Sequence, residues 1–240
     1  MNIAIIGYGK MGKAVEDVAI EKGHRIAARI DAEEDWNKNL GKLKSADIAI
    51  EFSTPAAVTS NITKCFHLNI PIVTGTTGWD SQMEEIKDVC KKNNQALLKS
   101  SNFSIGVNVF FKINQHLASF MNMLDKFDVA IEETHHTNKL DKPSGTALKL
   151  SEDILQRLDR KKDWVNRPTL NASEIPVISH RIADVSGIHQ IRYESDTDII
   201  ELKHTAKNRI GFARGAVLAA EWLGGRKGFF TMDDMLSDII

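Results

Sequence analysis

The sequence predicts an α/β protein in which an open, mostly parallel sheet wrapped by helices is interrupted by an α+β domain with a mixed sheet. Three observations carry this. The first hundred or so residues alternate short apolar runs with helix-period segments, the pattern of successive βαβ units. After about Phe103 that rhythm stops, and strands begin to follow one another without helices between them, which calls for antiparallel or mixed pairing. From Phe212 a helical pattern returns, so the chain end rejoins the first domain. The domains expected are residues 1–104 with 213–240, and residues 105–212.

The elements follow in order. Residues 2–6 are a short apolar run closed by Gly7 and read as a buried parallel strand. Met11, Val15, Val18 and Ala19 are spaced along one helical face over 11–21, and Gly23 is placed to end that helix. Strands are expected at 25–30, 46–51, 71–74 and 96–98, with helices at 54–67 and 79–92. In the second domain, Val109, Ile113, Leu117 and Phe120 mark one long helix over 107–123. Residues 127–133 alternate as a strand does, and 176–206 give longer alternating strands broken by turns such as Glu194-Ser195-Asp196. A helix is expected over 213–223. The stretches 31–46 and 159–174 read as loops.

Composition excludes several function classes. In 240 residues, 31 basic and 32 acidic side chains nearly cancel, so no basic excess points to nucleic acid or an anionic membrane. No apolar run approaches the roughly 20 residues of a membrane span, and the start lacks a secretory signal pattern. The two cysteines, Cys65 and Cys90, match neither a disulfide framework nor a zinc site. A cytoplasmic protein with no nucleic-acid or membrane partner is expected.

The most informative local motif is Gly7-Tyr8-Gly9-Lys10-Met11-Gly12, a G-x-G-x-x-G placed directly after a strand and opening a helix. The first glycine permits the tight turn, the second lets a pyrophosphate approach the backbone, and the third lets the helix pack close to the strand. The helix N-terminus then offers free N–H donors and a positive dipole end. Asp31 stands 19 residues after Gly12 at the end of the second strand, where an acid would hold an adenosine ribose. A Rossmann-type dinucleotide-binding domain is therefore expected. Asp31 repels a 2′-phosphate and favours NADH, while Lys10 and Arg29 offer positive charge that would admit NADPH. Use of both cofactors, leaning to NADH, is the expectation.

The second motif is Glu133-Thr134-His135-His136-Thr137-Asn138-Lys139-Leu140-Asp141-Lys142-Pro143-Ser144-Gly145-Thr146-Ala147. Adjacent histidines on a strand point to opposite faces, and no further His or Cys sits at ligand spacing, so no metal is expected. Ser144 is a good N-cap, with Gly145 and Thr146 as the first helical residues, which makes an anion site by geometry. A lysine and two imidazoles beside those N–H groups suit an anionic substrate that must be protonated. The remaining histidines, His24, His67, His116, His180, His189 and His204, read as surface or satisfied core residues.

This segment resembles the signature of the 4-hydroxy-tetrahydrodipicolinate reductase (dihydrodipicolinate reductase) family, E-x-H-H-x-x-K-x-D-x-P-S-G-T-A. Gly75-Thr76-Thr77-Gly78 and Ser101-Asn102-Phe103-Ser104-Ile105-Gly106-Val107-Asn108 agree as well, and the likeness covers nearly the whole chain. The glycine loop departs from many members in being one residue shorter, with Lys10 before the Met-Gly, and Arg214 stands where some relatives have Asn. The resemblance implies reduction of a cyclic dicarboxylate by NADH or NADPH, with loss of water, in the diaminopimelate route of lysine biosynthesis. It further implies that His135 is the proton donor/acceptor, Lys139 a second proton donor, and His136, Ser144, Gly145 and Thr146 the substrate contacts. Gly7, Tyr8, Gly9, Lys10, Met11, Gly12 and Asp31 would bind the cofactor, with Gly75, Thr76, Thr77, Ser100, Ser101, Asn102 and Phe103 near its ribose and nicotinamide. It implies a homotetramer, assembled through the second domain's sheet. Two rival readings are a different two-domain NAD(P)-dependent reductase and a non-catalytic NAD(P)-sensing protein on the same fold. The first does not account for His-His-x-x-Lys followed by Pro-Ser-Gly-Thr, and the second would expect one of His135, Lys139 or Thr146 to have been replaced, whereas all are present.

Overall fold

The computed structural model describes residues 1–208 and 210–239. The chain forms two compact units, Met1–Ile105 with Ile210–Ile240, and Gly106–Arg209.

The first unit holds β1 (Asn2–Ile6), α1 (Lys10–Glu21), β2 (Arg25–Ile30), α2 (Glu33–Lys38), α3 (Leu40–Leu43), β3 (Ile48–Glu51), α4 (Val58–His67), β4 (Ile72–Thr74), α5 (Met83–Lys92) and β5 (Ala96–Lys99). Alternation along β1 shows why two helical layers are needed. Ile3 and Ile5 pack with Val15, Val18 and Ala19 of α1, while Ala4 and Ile6 face Ile62 and Phe66 of α4 and Ile86 of α5. A strand buried on both faces must be apolar throughout, which is why 2–6 shows no polar alternation.

The second unit holds α6 (Ile105–Met121, whose first residue belongs to the first unit), β6 (Asp128–His135), α7 (Gly145–Leu155), β7 (Asp163–Val165), β8 (Glu174–Arg181), β9 (Ile188–Glu194) and β10 (Ile199–Thr205). These strands form a five-stranded mixed sheet in the order β10-β9-β6-β8-β7. Strand β6 is central, parallel to β8 and antiparallel to β9. Val129 and Ile131 of β6 join Phe110 and Met121 of α6 and Leu150 and Ile154 of α7 in one core. Returning to the first unit, the chain forms α8 (Ile210–Leu223), β11 (Gly228–Phe230) and α9 (Met232–Ile239). Strand β11 completes a six-stranded parallel sheet in the order β11-β5-β4-β3-β1-β2.

The parallel sheet and the mixed sheet are as the sequence predicts, and the differences are local. Residues 31–46 are not a loop: Asp35 accepts the Asp31 and Ala32 amides at 3.0 and 2.9 Å and so starts α2. Strand β3 begins two residues late because the Asp47 carboxylate takes the Asn2 amide at 2.6 Å. Helix α4 begins at Val58 because Thr54 closes a turn, its carbonyl accepting the Ala57 and Val58 amides. Trp79 precedes a short 3₁₀ turn, Asp80–Gln82, and its indole N–H donates to the Thr76 carbonyl at 2.8 Å. Most consequential for the site, β6 runs two residues further than expected, so His135 is a strand residue.

Candidate active site

The glycine loop is built as its spacing requires. Gly7 has φ +82°, and a Cβ there would meet the Phe52 carbonyl oxygen at 2.1 Å. A Cβ at Gly12 would meet the Gly7 oxygen at 2.2 Å, so the third glycine lets α1 lie against the turn. Gly9 is the N-cap of α1, has no side-chain cap, and has open space where a Cβ would project. A dinucleotide's phosphates fit that open helix start. Lys10 is exposed and Met11 half-buried. The Tyr8 amide donates to an Asp31 carboxylate oxygen at 2.7 Å, which joins the loop to the end of β2.

Arg29 is already engaged. Its guanidinium makes a two-pronged bond to Glu16, whose other donor is the Tyr8 hydroxyl at 2.5 Å. The bond from Arg29 is the largest of several effects that hold the Glu16 carboxyl below its ordinary range, and the same bond raises the guanidinium further.

Gly75, Thr76 and Thr77 follow β4. A Cβ at Gly75 would strike the Phe52 ring at 2.0 Å, and Phe52 stacks edge-on with Phe103 at 5.8 Å. Thr76 is buried, its hydroxyl accepting the Ser53 amide at 2.9 Å and donating to Glu51 at 3.1 Å. Glu51 is fully buried and also accepts the Thr74 hydroxyl at 2.5 Å and the Ser53 amide at 2.9 Å. Sequence reasoning missed this carboxylate, because it reads as one more residue of a buried strand. Thr77 and Ser101 are exposed, whereas Phe103 lies inside the core, so any contribution it makes to a ligand is from its backbone. The Ser100 hydroxyl donates to the Asn102 carbonyl at 2.8 Å and accepts the Asn102 amide at 3.1 Å, folding that segment into a tight turn.

The second cluster lies in the second unit and is organised by β6. Residues two apart on a strand share a face, so Glu133 and His135 both turn inward on the side of Val129 and Ile131. Cross-strand register places Glu133 opposite Ser179 on β8 and His189 on β9, and pairs His135 with Arg181. Glu133 is completely buried. Its Oε2 stands 3.3 Å from His135 Nδ1 and 3.7 Å from His189 Nε2, without the alignment of a hydrogen bond. Its two oxygens accept the Ser144 amide at 3.0 and 3.1 Å, and Oε1 lies 3.4 Å from both terminal nitrogens of Arg181. Burial alone would push this carboxyl up, but the polar side chains of His135, Ser144 and Ser179 beside it, with the Ser144 amide, outweigh it and hold the group well below the usual range.

His189, to which sequence reasoning assigned nothing, packs its ring edge-on to His135 at 4.9 Å, and its Nε2 is 3.1 Å from the Ser144 hydroxyl. Burial first, then the positive charge of His135, pushes its pKa down to about 3, so it is neutral at pH 7. The signal that could have found it is the alternation His189, Ile191, Tyr193, which puts this histidine on the inner face of its strand.

Lys139 sits beyond the strand end and pairs with Asp141 at 2.8 Å. Arg181 donates from Nε to the Lys139 carbonyl at 3.1 Å and from a terminal nitrogen to the Asp141 carbonyl, tying that loop to β8. His136 is half-buried with an unpartnered Nδ1. Ser144 caps α7 as its position suggests, its hydroxyl accepting the Ala147 amide at 3.3 Å. With amide and hydroxyl both committed inward, Ser144 shapes the helix start, whereas Gly145 is exposed and Thr146 half-buried. The Gly145 and Thr146 amides precede the first intrahelical bond, from Leu148 to the Ser144 carbonyl at 3.0 Å.

Ligand atoms of Glu133, His135 and His189 lie within 4.8 Å of one another, a spacing that would admit a cation. The carboxylate, however, already receives an amide on both oxygens and faces a guanidinium. That surrounding suits proton transfer better than a divalent ion.

The comparisons agree with this architecture. The family description "Dihydrodipicolinate reductase, N-terminus" matches residues 1–103, and "Dihydrodipicolinate reductase, C-terminus" matches residues 106–236. The chain is 46% identical over 239 residues to the 4-hydroxy-tetrahydrodipicolinate reductase of Christiangramia forsetii, covering 100% of this chain and 99% of that protein. It is 34% identical to the enzyme of the same name from Archaeoglobus fulgidus, covering 98% and 100%. The solved structure of a dipicolinate-bound dihydrodipicolinate reductase from Paenisporosarcina sp. TG-14 shares the fold, with TM-score 0.79, 24% identity, and 96% and 97% of the two chains covered. With both halves matched and a relative 46% identical over its whole length, the chain belongs to the dihydrodipicolinate reductase family.

Proposed function

We propose that the chain reduces 4-hydroxy-tetrahydrodipicolinate to tetrahydrodipicolinate, with loss of water, in the diaminopimelate route of lysine biosynthesis. The observation that carries this reading is the grouping of an imidazole, a lysine and an open helix start within the short 135–146 segment of a chain of this family. When bound, NADH or NADPH supplies the hydride. Hydride addition to a conjugated imine builds negative charge that an acid must quench. His135 donates that proton and Lys139 serves as the second donor. The Gly145 and Thr146 amides, with the Thr146 hydroxyl, hold one substrate carboxylate, and His136 contacts the substrate.

NADH is the preferred cofactor on this reading. Asp31 is followed by Glu33, Glu34 and Asp35 at the start of α2, an acidic cluster that repels a 2′-phosphate, and Arg29 is held by Glu16. The assembly is a homotetramer joined through the second unit's sheet. Strand β10 supports this, because it is an edge strand that exposes Ile199 (52%) and Ile200 (37%). The enzyme works in the cytoplasm, where reduced nicotinamide is supplied. The test is oxidation of NADH and NADPH at 340 nm, coupled to a synthase that generates the unstable substrate. Substrate-dependent oxidation with a lower KM for NADH is expected, and no turnover with either cofactor would refute the assignment.

A further inference from the structure

Glu133 touches His135, His189, Arg181 and Ser144 at the centre of the second-unit cluster. It is fully buried, flanks His135 Nδ1, accepts the amide of the α7 cap, and faces the arginine that ties down the Lys139 loop. We infer that Glu133 is the positioning residue for proton transfer, orienting His135 by its Nδ1 so that Nε2 is the atom presented for chemistry. The inference rests on the reading of His135 as the proton donor.

The geometry around the ring supports it. On the Nε2 side the neighbour is Gly187, where a Cβ would come within 3.2 Å of Nε2 and 3.4 Å of Cδ2, so the glycine leaves that edge open. On the other side, an ionised carboxylate 3.3 Å from Nδ1 favours the tautomer with its proton on Nδ1, leaving the Nε2 lone pair free to be reprotonated after each turnover. The same carboxylate stabilises the imidazolium that must form before a proton is given up. His189 stays neutral, so it adds no competing positive charge against the ring. The other charged groups facing the pair are Arg181 from β8 and Lys139 with Asp141 from the loop, and His204 of β10 lies behind His189. Arg181 and Lys139 bring positive charge to this cluster, and Glu133 is the buried counter-charge beside them.

Three measurements on the full-length enzyme test this. In Glu133→Gln, which keeps the shape and removes the charge, kcat is expected to fall by at least thirtyfold, about 2 kcal/mol, while the KM for NADH stays within twofold. The limb of the kcat profile that falls as pH rises should move at least one pH unit lower. Glu133→Asp should recover part of both losses. A wild-type profile and kcat in Glu133→Gln would overturn the inference. Should that variant fail to fold, ¹⁵N spectra of histidine-labelled wild-type enzyme decide the matter. Neutral His135 should carry its proton on Nδ1, and an Nε2–H tautomer would overturn the proposal. His135→Gln separates the two layers: if it leaves kcat and the pH limb intact, the proton-donor reading has failed, whatever Glu133 does.

Discussion

Replacing Ser144 by alanine removes one hydroxyl that the structure places against the Ala147 amide and His189. It accepts the Ala147 amide at 3.3 Å, a long N-cap bond, whose loss costs about 0.5–1 kcal/mol. It also meets His189 Nε2 at 3.1 Å, and His189 Nδ1 already lacks a partner, so the ring would keep only the distant Glu133 oxygen at 3.7 Å. Leaving a buried polar atom unpaired costs roughly 1–2 kcal/mol more. The sum, about 1.5–3 kcal/mol, corresponds to a fall in melting temperature of about 3–12 °C for a chain of this size. Because the Ser144 amide still reaches Glu133, the entry to α7 should survive, and substrate KM should rise only a few-fold. Differential scanning calorimetry and steady-state assays on the same preparation check both. Aspartate normally caps helices well, but Ser144→Asp would place a second carboxylate beside buried Glu133 and should stabilise no better than alanine. A melting temperature within 1 °C of wild type for Ser144→Ala, or a better-than-alanine Ser144→Asp, would refute this accounting of the cap.

Other consequences are open to direct measurement. Lys139→Ala should lower kcat by about a hundredfold or more, within the range of general acid catalysis, with NADH binding unchanged by calorimetry; lost cofactor affinity with intact turnover would contradict the assignment. Thr146→Val removes only a hydroxyl and should raise substrate KM about ten- to a hundredfold, with pyridine-2,6-dicarboxylate weakening as an inhibitor in parallel. His189 is held neutral, with its folded pKa about 3 against 6.5 for the free side chain, so its contribution to stability is present above pH 6.5 and is lost as pH falls toward 3. Denaturation curves between pH 7 and 5 should therefore lose up to about 1.4 kcal/mol per pH unit in wild type, and a shallower loss is expected for His189→Gln. Light scattering at micromolar concentration should report a tetramer, and a monomeric mass would remove the assembly proposed through β10.

What the sequence by itself determined is what local spacing dictates. The glycine cradle is legible because each of Gly7, Gly9 and Gly12 answers a backbone constraint within one turn, and the α7 start is legible because Pro143-Ser144-Gly145 is cap chemistry read in order. The βαβ rhythm of the first unit is legible because strands buried on both faces leave continuous apolar runs. Several of the elements missed have too little period to detect: β7 and β11 have three residues each, and α2 opens with three acids and buries only Trp36, whereas α9, with Met232, Met235 and Leu236 on one face, carries a helical period that sequence reasoning passed over. Tertiary structure alone decided the company Glu133 keeps. His189 is 56 positions away, and it meets Glu133 through the antiparallel register of β6 and β9. Arg181 arrives through the parallel register of β8. A shift of one residue in either pairing would turn those side chains to the opposite face, and no pattern along a single strand states which register the sheet will adopt.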